Sequence, residues 1–280
     1  KSELIEVEKI AKSKKKSVDI GIRLNPNIDA KTLKKISTGK KENKFGVTEK
    51  FFLDLVSYSK KSKHLNLKCL SVHIGSQIIN NKPYEKTLAV ISKIIQKSNY
   101  KFDYIDLGGG MGITYENKKK LNYKKYSFSI KNFLKKNKAK IIFEPGRSII
   151  GDAAVLISKV IYVKKTAHKH FIILDSAMND LIRPALYGSN HKIIPLRKKS
   201  NRSNINYEFV GPICETTDKF LNLKNFQKLK QKDLIAISDV GAYGMSLSSN
   251  YNVRPRPIEL LIKGSKISVI QKRQSLKDLI

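Results

Sequence analysis

Leu67-Lys-Cys-Leu-Ser-Val-His-Ile74 is a run of apolar and β-branched residues; Tyr84–Ser98, with apolar residues at helical spacing, follows it, and then Tyr104-Ile-Asp-Leu107. A strand, a helix and a second strand in that order form a β-α-β unit, whose two strands lie parallel. The same rhythm extends outward in both directions. Val18–Leu24 and Ile141–Phe143 read as further strands, and Lys50–Ser62 and Tyr123–Lys136 as further helices. The strands are nearly continuous apolar runs, so both of their faces are expected to be buried, as in a parallel sheet or a (β/α)8 barrel.

Four strands in roughly the first 150 residues make half a barrel, because a complete one takes about 250. The chain also opens on Lys1 within a charged, helix-like pattern, without an initiator methionine. A partial barrel from a longer protein is the expectation. After Gly151 the rhythm changes. Ala154–Tyr162, Phe171–Leu174, Tyr207–Val210, Leu234–Ser238 and Ile258–Ile262 read as strands with few helices between them, which predicts a mainly antiparallel β-domain. The boundary is placed near Asp152, giving a barrel part over 1–152 and a β-domain over 153–280.

The 280 residues are 40% hydrophobic, enough to fill a core without disulfides or metals. No run approaches the roughly 20 apolar residues of a membrane span, and the N-terminus has no apolar signal region. Cys69 and Cys214 are far apart in unlike contexts, which fits neither a disulfide framework nor a zinc site, and a cytoplasmic location is expected. The formal charge of +33 predicts attraction to phosphate polymers or anionic lipid. Against that, the basic residues are spread along the chain, are mostly Lys and travel with Asn and Ile, and no basic stripe is interleaved with aromatics. Solvated lysine on helix faces is the reading adopted, with neither nucleic acid nor membrane as a partner. Only eight residues are Arg, and Arg147, Arg183, Arg254 and Arg256 lie in motifs bearing Gly, Pro or Tyr. A planar, bidentate fork is what Lys cannot copy.

Three segments carry chemistry. Asp106-Leu-Gly-Gly-Gly-Met-Gly112 follows a strand, and its glycines Gly108, Gly109 and Gly110 allow close approach of the backbone to an anion, most simply a phosphate. The spacing is wrong for a dinucleotide fingerprint. Phe143-Glu-Pro-Gly-Arg147 ends the next strand, where a parallel barrel places its active site. His73-Ile-Gly-Ser76 ends another strand in the same way.

His73-Ile-Gly-Ser-Gln77, the triple glycine, Glu144-Pro-Gly-Arg147, Gly211-Pro-Ile-Cys-Glu215 and Gly241-Ala-Tyr243 occur in one order. This ordered set resembles the alanine-racemase-like, fold type III decarboxylases that act on meso-diaminopimelate, ornithine or arginine. Ile36-Ser-Thr-Gly39 with Lys44-Phe-Gly46, Met178–Tyr187 and Ser248-Ser-Asn-Tyr-Asn252 resemble the diaminopimelate decarboxylase group in particular. The matches run from about residue 20 to about residue 262.

The resemblance implies pyridoxal 5'-phosphate as cofactor and a partial barrel followed by the decarboxylase β-domain. His73 would stack on the pyridine ring. Ser76, Gly108, Gly109, Gly110, Arg147 and Tyr243 would hold the phosphate, and Glu144 would pair with the ring nitrogen. Arg147, Arg183, Tyr187 and Tyr243 would grip the amino-acid substrate, with Glu215 recognising its distal ammonium and Cys214 donating a proton. Cys214 and Glu215 would enter the site of the opposite subunit, so a homodimer is implied. No metal is implied. The family's cofactor-binding lysine, in a Tyr-Ala-x-Lys segment, is not found here. The chain by itself is therefore expected to be inactive, and the whole gene product active on meso-2,6-diaminoheptanedioate. A sister decarboxylase for arginine, ornithine or carboxynorspermidine, a non-catalytic relative and a charge-driven nucleic-acid binder are the alternatives left open.

Overall fold

The computed structural model describes residues 1–30, 38–39, 42–115, 120–197, 202–203 and 205–280. Of the segments singled out above, Ile36 and Ser37 lie outside the described residues. The chain divides into two compact units, one of residues 1–114 with 119–148 and one of residues 115–118 with 149–280.

The first unit carries β1 (Val18–Arg23), β2 (Leu65–Ser71), β3 (Tyr104–Asp106) and β4 (Lys140–Ile142), all parallel and in the spatial order β1-β2-β3-β4. Helices α1 (Ser2–Ser13), α2 (Glu49–Lys61), α3 (Lys82–Ser98) and α4 (Tyr123–Lys136) alternate with them. The helix ends follow from local chemistry. Pro83 opens α3, where a missing N–H costs nothing, and Asn99 closes it in the left-handed conformation at φ 42°. The Asn122 side chain accepts the Lys125 N–H at 3.0 Å and caps α4.

Phe52, Leu55 and Val56 on α2 and Leu88, Ile91 and Ile94 on α3 recur at three- and four-residue spacing and are buried against Leu67, Leu70 and Ile105 of the sheet. Each such side chain contributes about 1.5–3 kcal/mol when fully buried. The expectation that both faces of the strands are apolar is corrected here. Alternate residues of β1 and β2 face the helices, and the opposite face is polar and half-open, carrying Asp19 and Arg23 from β1 and Ser71 from β2. The near-continuous apolar runs concealed this alternation because β2 carries one extra residue, Lys68, between Leu67 and Cys69, the partners of Ile20 and Gly21, which shifts the register between the two strands.

The second unit contains β5 (Leu156–Lys165), β6 (His170–Leu174), β7 (Ile193–Pro195), β8 (Arg202–Ser203), β9 (Tyr207–Val210), β10 (Lys219–Leu223), β11 (Phe226–Gln227), β12 (Leu234–Ile237), β13 (Glu259–Lys263) and β14 (Lys266–Gln271). Six of them form one sheet in the order β10-β9-β6-β5-β12-β7, antiparallel except for the β6–β9 pair. Its core is Val160, Ile172, Leu174, Phe209, Ile235 and Ile237. The fold class is therefore α/β, with half of a (β/α)8 barrel followed by a mainly antiparallel β-unit. Among the described residues no helix is long and apolar enough to cross a membrane, and no group of His, Cys, Asp or Glu is arranged to hold a metal ion.

Candidate active site

In a parallel sheet the C-terminal strand ends lie along one edge, and every second residue shares a face. That geometry collects Arg23 from β1, His73 beyond β2, Asp106 from β3 and Glu144 beyond β4. The Ser71 hydroxyl donates to Asp106 Oδ2 at 3.0 Å, and the Gly108 amide donates to Oδ1 at 2.8 Å. Asp106 thereby fixes the start of the glycine turn. The Gly109 amide donates to His73 Nδ1 at 3.1 Å, which sets that nitrogen as an acceptor and leaves the proton of a neutral ring on Nε2. Two of the three glycine amides are thus engaged within the protein rather than held open for an anion.

The glycines are required for a further reason. A Cβ on Gly109 would stand 2.1 Å from the Glu144 carbonyl oxygen, and one on Gly110 would stand 2.1 Å from that of Gly75. The turn is wedged between the ends of β2 and β4, so it ties the His73 segment to the Glu144 segment. Gly108 and Gly110 adopt φ of 64° and 85°, the left-handed region that favours glycine. Arg147 is buried, and its Nη2 donates to the Ser76 hydroxyl at 3.3 Å. Glu144 is exposed, and His73 is half-buried. Burial pushes the His73 imidazole below its ordinary value, and the Arg23 charge pushes it the same way against the opposing pull of Asp106.

Arg23 is the residue that the sequence reading passed over. Its Nη2 points to the His73 carbonyl oxygen at 3.4 Å, and its guanidinium lies 5.1 Å from the centre of the Phe45 ring. Burial lowers its pKa, while the charges of Glu144 and Asp106 raise it. The signal was available: it is one of only eight arginines, and it stands at the end of the first parallel strand.

The second unit gathers the remaining candidates in its own clusters. Arg183 is buried at the start of a short helix, Arg183–Tyr187, with its guanidinium 5.5 Å from the ring centres of both Tyr115 and Tyr187. Its Nη2 donates to the Ser189 hydroxyl at 3.2 Å. Cys214 and Glu215 are exposed on the loop after β9. Glu215 accepts hydrogen bonds from the hydroxyls of Thr217 and Tyr251. The buried Asp218 closes this loop, accepting from the Ile213 amide at 2.8 Å and the Met178 amide at 2.7 Å. Tyr243 is exposed and takes a left-handed φ of 59°. Cys69 is half-buried on β2, and burial pushes its thiol up to about 11, which keeps it protonated and unreactive.

A carboxylate, an imidazole, a glycine turn and a buried guanidinium beside a hydroxyl form a donor set that fits an aromatic ring bearing a nitrogen and a phosphate. The comparisons point the same way. The family described as "Pyridoxal-dependent decarboxylase, pyridoxal binding domain" matches residues 2–151. A diaminopimelate decarboxylase from Helicobacter pylori is 42% identical over 99% of this chain and 69% of its own length. One from Aquifex aeolicus is 39% identical over 98% of this chain and 66% of its own length. Among solved structures, the Helicobacter pylori diaminopimelate decarboxylase complexed with L-lysine superposes with a TM-score of 0.92 at 42% identity, over 99% of this chain and 70% of that one. The M. jannaschii enzyme in co-complex with L-lysine gives 0.90 at 32% identity, over 99% and 66%. A family profile over half the chain and relatives of this identity along nearly all of it agree with the strand-end cluster: the chain belongs to the pyridoxal-dependent decarboxylases, in their diaminopimelate decarboxylase group.

Proposed function

We propose that the gene product carrying this chain decarboxylates meso-2,6-diaminoheptanedioate to L-lysine and carbon dioxide, the last step of lysine biosynthesis, with pyridoxal 5'-phosphate as cofactor. The observation that carries this reading is the 42% identity, along 99% of the chain, to an enzyme of that name. When bound, the cofactor supplies an electron sink for the pair left as carbon dioxide departs. In this reading residues 1–152 belong to the cofactor-binding barrel and 153–280 to the decarboxylase β-domain.

The chain's own residues would divide the work. Glu144, exposed beyond the end of β4, would pair with the ring nitrogen and keep a proton on it. His73, kept neutral by burial and by Arg23, would stack on the ring without adding a second positive charge. Ser76, Arg147 and Tyr243 would hold the phosphate, with Gly108, Gly109 and Gly110 letting the backbone approach it closely. Arg147, Arg183, Tyr187 and Tyr243 would orient the substrate, whose carboxylates match the planar guanidinium fork. Glu215 would receive the distal ammonium, and the exposed Cys214 thiol would deliver the proton that replaces the lost carboxylate. The enzyme would act in the cytoplasm as a homodimer whose sites are shared between subunits.

A sister activity on arginine or ornithine needs mainly an acid at the distal end, whereas Arg183 and Tyr187 together suit a terminus that also bears a carboxylate. In the full-length gene product Arg183→Ala should raise the KM for diaminopimelate at least tenfold, about the effect of losing one charge-assisted hydrogen bond. An unchanged KM would remove the pocket assignment.

A further inference from the structure

We infer that Tyr251 is a positioning residue for substrate recognition: its hydroxyl, together with that of Thr217, aims the Glu215 carboxylate. This inference rests on the reading of Glu215 as the group that receives the substrate's ammonium.

The geometry supplies the argument. Tyr251 Oη donates to Glu215 Oε2 at 2.9 Å, and the Thr217 hydroxyl donates to Oε1. Each carboxylate oxygen therefore carries one donor and retains a lone pair for a cation. An exposed glutamate would otherwise sample many rotamers, and two hydroxyls from different segments restrict it to one. The Thr217 and Tyr251 hydrogen bonds also hold the Glu215 carboxyl below the usual carboxylate value, so it stays charged.

The backbone behind Tyr251 shows that this placement is maintained against strain. Asn252 and Val253, which follow it directly, have left-handed φ of 57° and 54°. For a β-branched residue such a φ is a steric outlier, and Val253 is 68% exposed, so burial of its side chain does not compensate. Strain of this kind persists only where the surroundings over-determine it, and it clusters at functional sites. Here the surroundings are visible. Asn250 Nδ2 donates to the Arg254 carbonyl at 2.9 Å and to Gln274 Oε1 at 2.7 Å. Arg254 in turn donates from Nε to Asn179 Oδ1 at 2.9 Å and from Nη2 to the Asp175 carbonyl at 2.5 Å. The turn that presents Tyr251 is thus bolted to the segment leading into Arg183, and the phenolic oxygen is delivered to Glu215.

The test uses the full-length, cofactor-loaded gene product with Tyr251→Phe and, in parallel, Glu215→Gln. Tyr251→Phe should raise the KM for diaminopimelate about 3- to 10-fold, the fold-change of one net hydrogen bond, with kcat little altered. The acid limb of kcat/KM should move to higher pH, because Glu215 loses a donor that favours its charged form. Melting temperature and the visible absorbance of the bound cofactor should match wild type. Glu215→Gln should raise KM further and remove that acid limb. If Glu215→Gln raises KM while Tyr251→Phe leaves both KM and the acid limb in place, the positioning role is overturned and the Glu215 reading stands. If Tyr251→Phe lowers the melting temperature and kcat together, its role is structural and the inference is also overturned. If Glu215→Gln leaves KM unchanged, the Glu215 reading itself fails and takes the inference with it.

Discussion

A Cβ on Gly211 would stand 2.2 Å from Oδ2 of Asp218, so the carboxylate occupies the space that any larger residue at 211 would need. The two residues close the loop that carries Cys214 and Glu215, and the Gly211 amide also donates to the Asp218 carbonyl at 3.0 Å. Both Asp218 oxygens accept backbone N–H groups, so Asp218→Asn turns one acceptor into a donor facing a donor. Gly211→Ala and Asp218→Asn should each destabilise the second unit by about 1–3 kcal/mol. Because they break one clamp, the double variant should cost clearly less than the sum of the single changes, as read by denaturant unfolding. Strict additivity would show that the clamp is not a unit.

Gly109→Ala places a methyl group against the Glu144 carbonyl oxygen, a backbone atom that cannot swing aside. The turn must then move off the end of β4 and take the His73 contact with it. Cofactor affinity in the full-length gene product should fall at least tenfold, while Gly188→Ala, with nothing within 4 Å of the added Cβ, serves as a strain-only control at φ 61°. Equal cofactor affinity in Gly109→Ala and wild type would remove the turn from the site.

Arg23→Ala deletes a positive charge close to His73. Burial and Arg23 both depress that imidazole. Removing the cation should let His73 titrate at a higher pH, measurable from its ring protons by NMR. A midpoint that stays where it is would mean that burial alone sets the value and that Arg23 only braces the His73 carbonyl.

Much of this was legible in the sequence. The β-α-β rhythm located all four parallel strands to within two or three residues, because each strand is an apolar run and each helix a 3.6-period stripe. Helix Tyr123–Lys136 coincides with its sequence reading, as does strand Tyr207–Val210. What was missed has physical causes. β7 and β11 are two or three residues long, too short to show a period, and β10 (Lys-Phe-Leu-Asn-Leu) alternates weakly. β14 follows β13 through the Gly264 turn, and apolar residues on both of its faces mask the period-two signal. In the site, glycine, histidine and glutamate at strand ends were readable from type and position. The Asp218–Met178 and Tyr251–Glu215 contacts were not, because they join residues remote in sequence through loop conformations that no local pattern encodes.

Glu208 on β9 is buried, its side chain only 3% exposed, between the ammonium groups of Lys169 and Lys219. Burial pushes its carboxyl up, but the hydrogen bonds from the two lysines outweigh this and leave it below its ordinary value. A carboxylate depressed on folding contributes stability in full above its unfolded pKa, about 4.3, and loses it as pH falls through the folded value. Glu208→Gln should therefore be less stable than wild type at pH 7 by about 1–3 kcal/mol, with the gap closing below roughly pH 4. A gap that does not vary with pH would show that packing, not charge, holds Glu208.

The most direct measurement is carbon dioxide release by the full-length gene product loaded with pyridoxal phosphate, with diaminopimelate, ornithine and arginine offered separately. Release from diaminopimelate alone, with L-lysine as the other product, is the predicted result. Release from ornithine or arginine instead, or none from diaminopimelate by a protein that binds the cofactor, would contradict the proposed function.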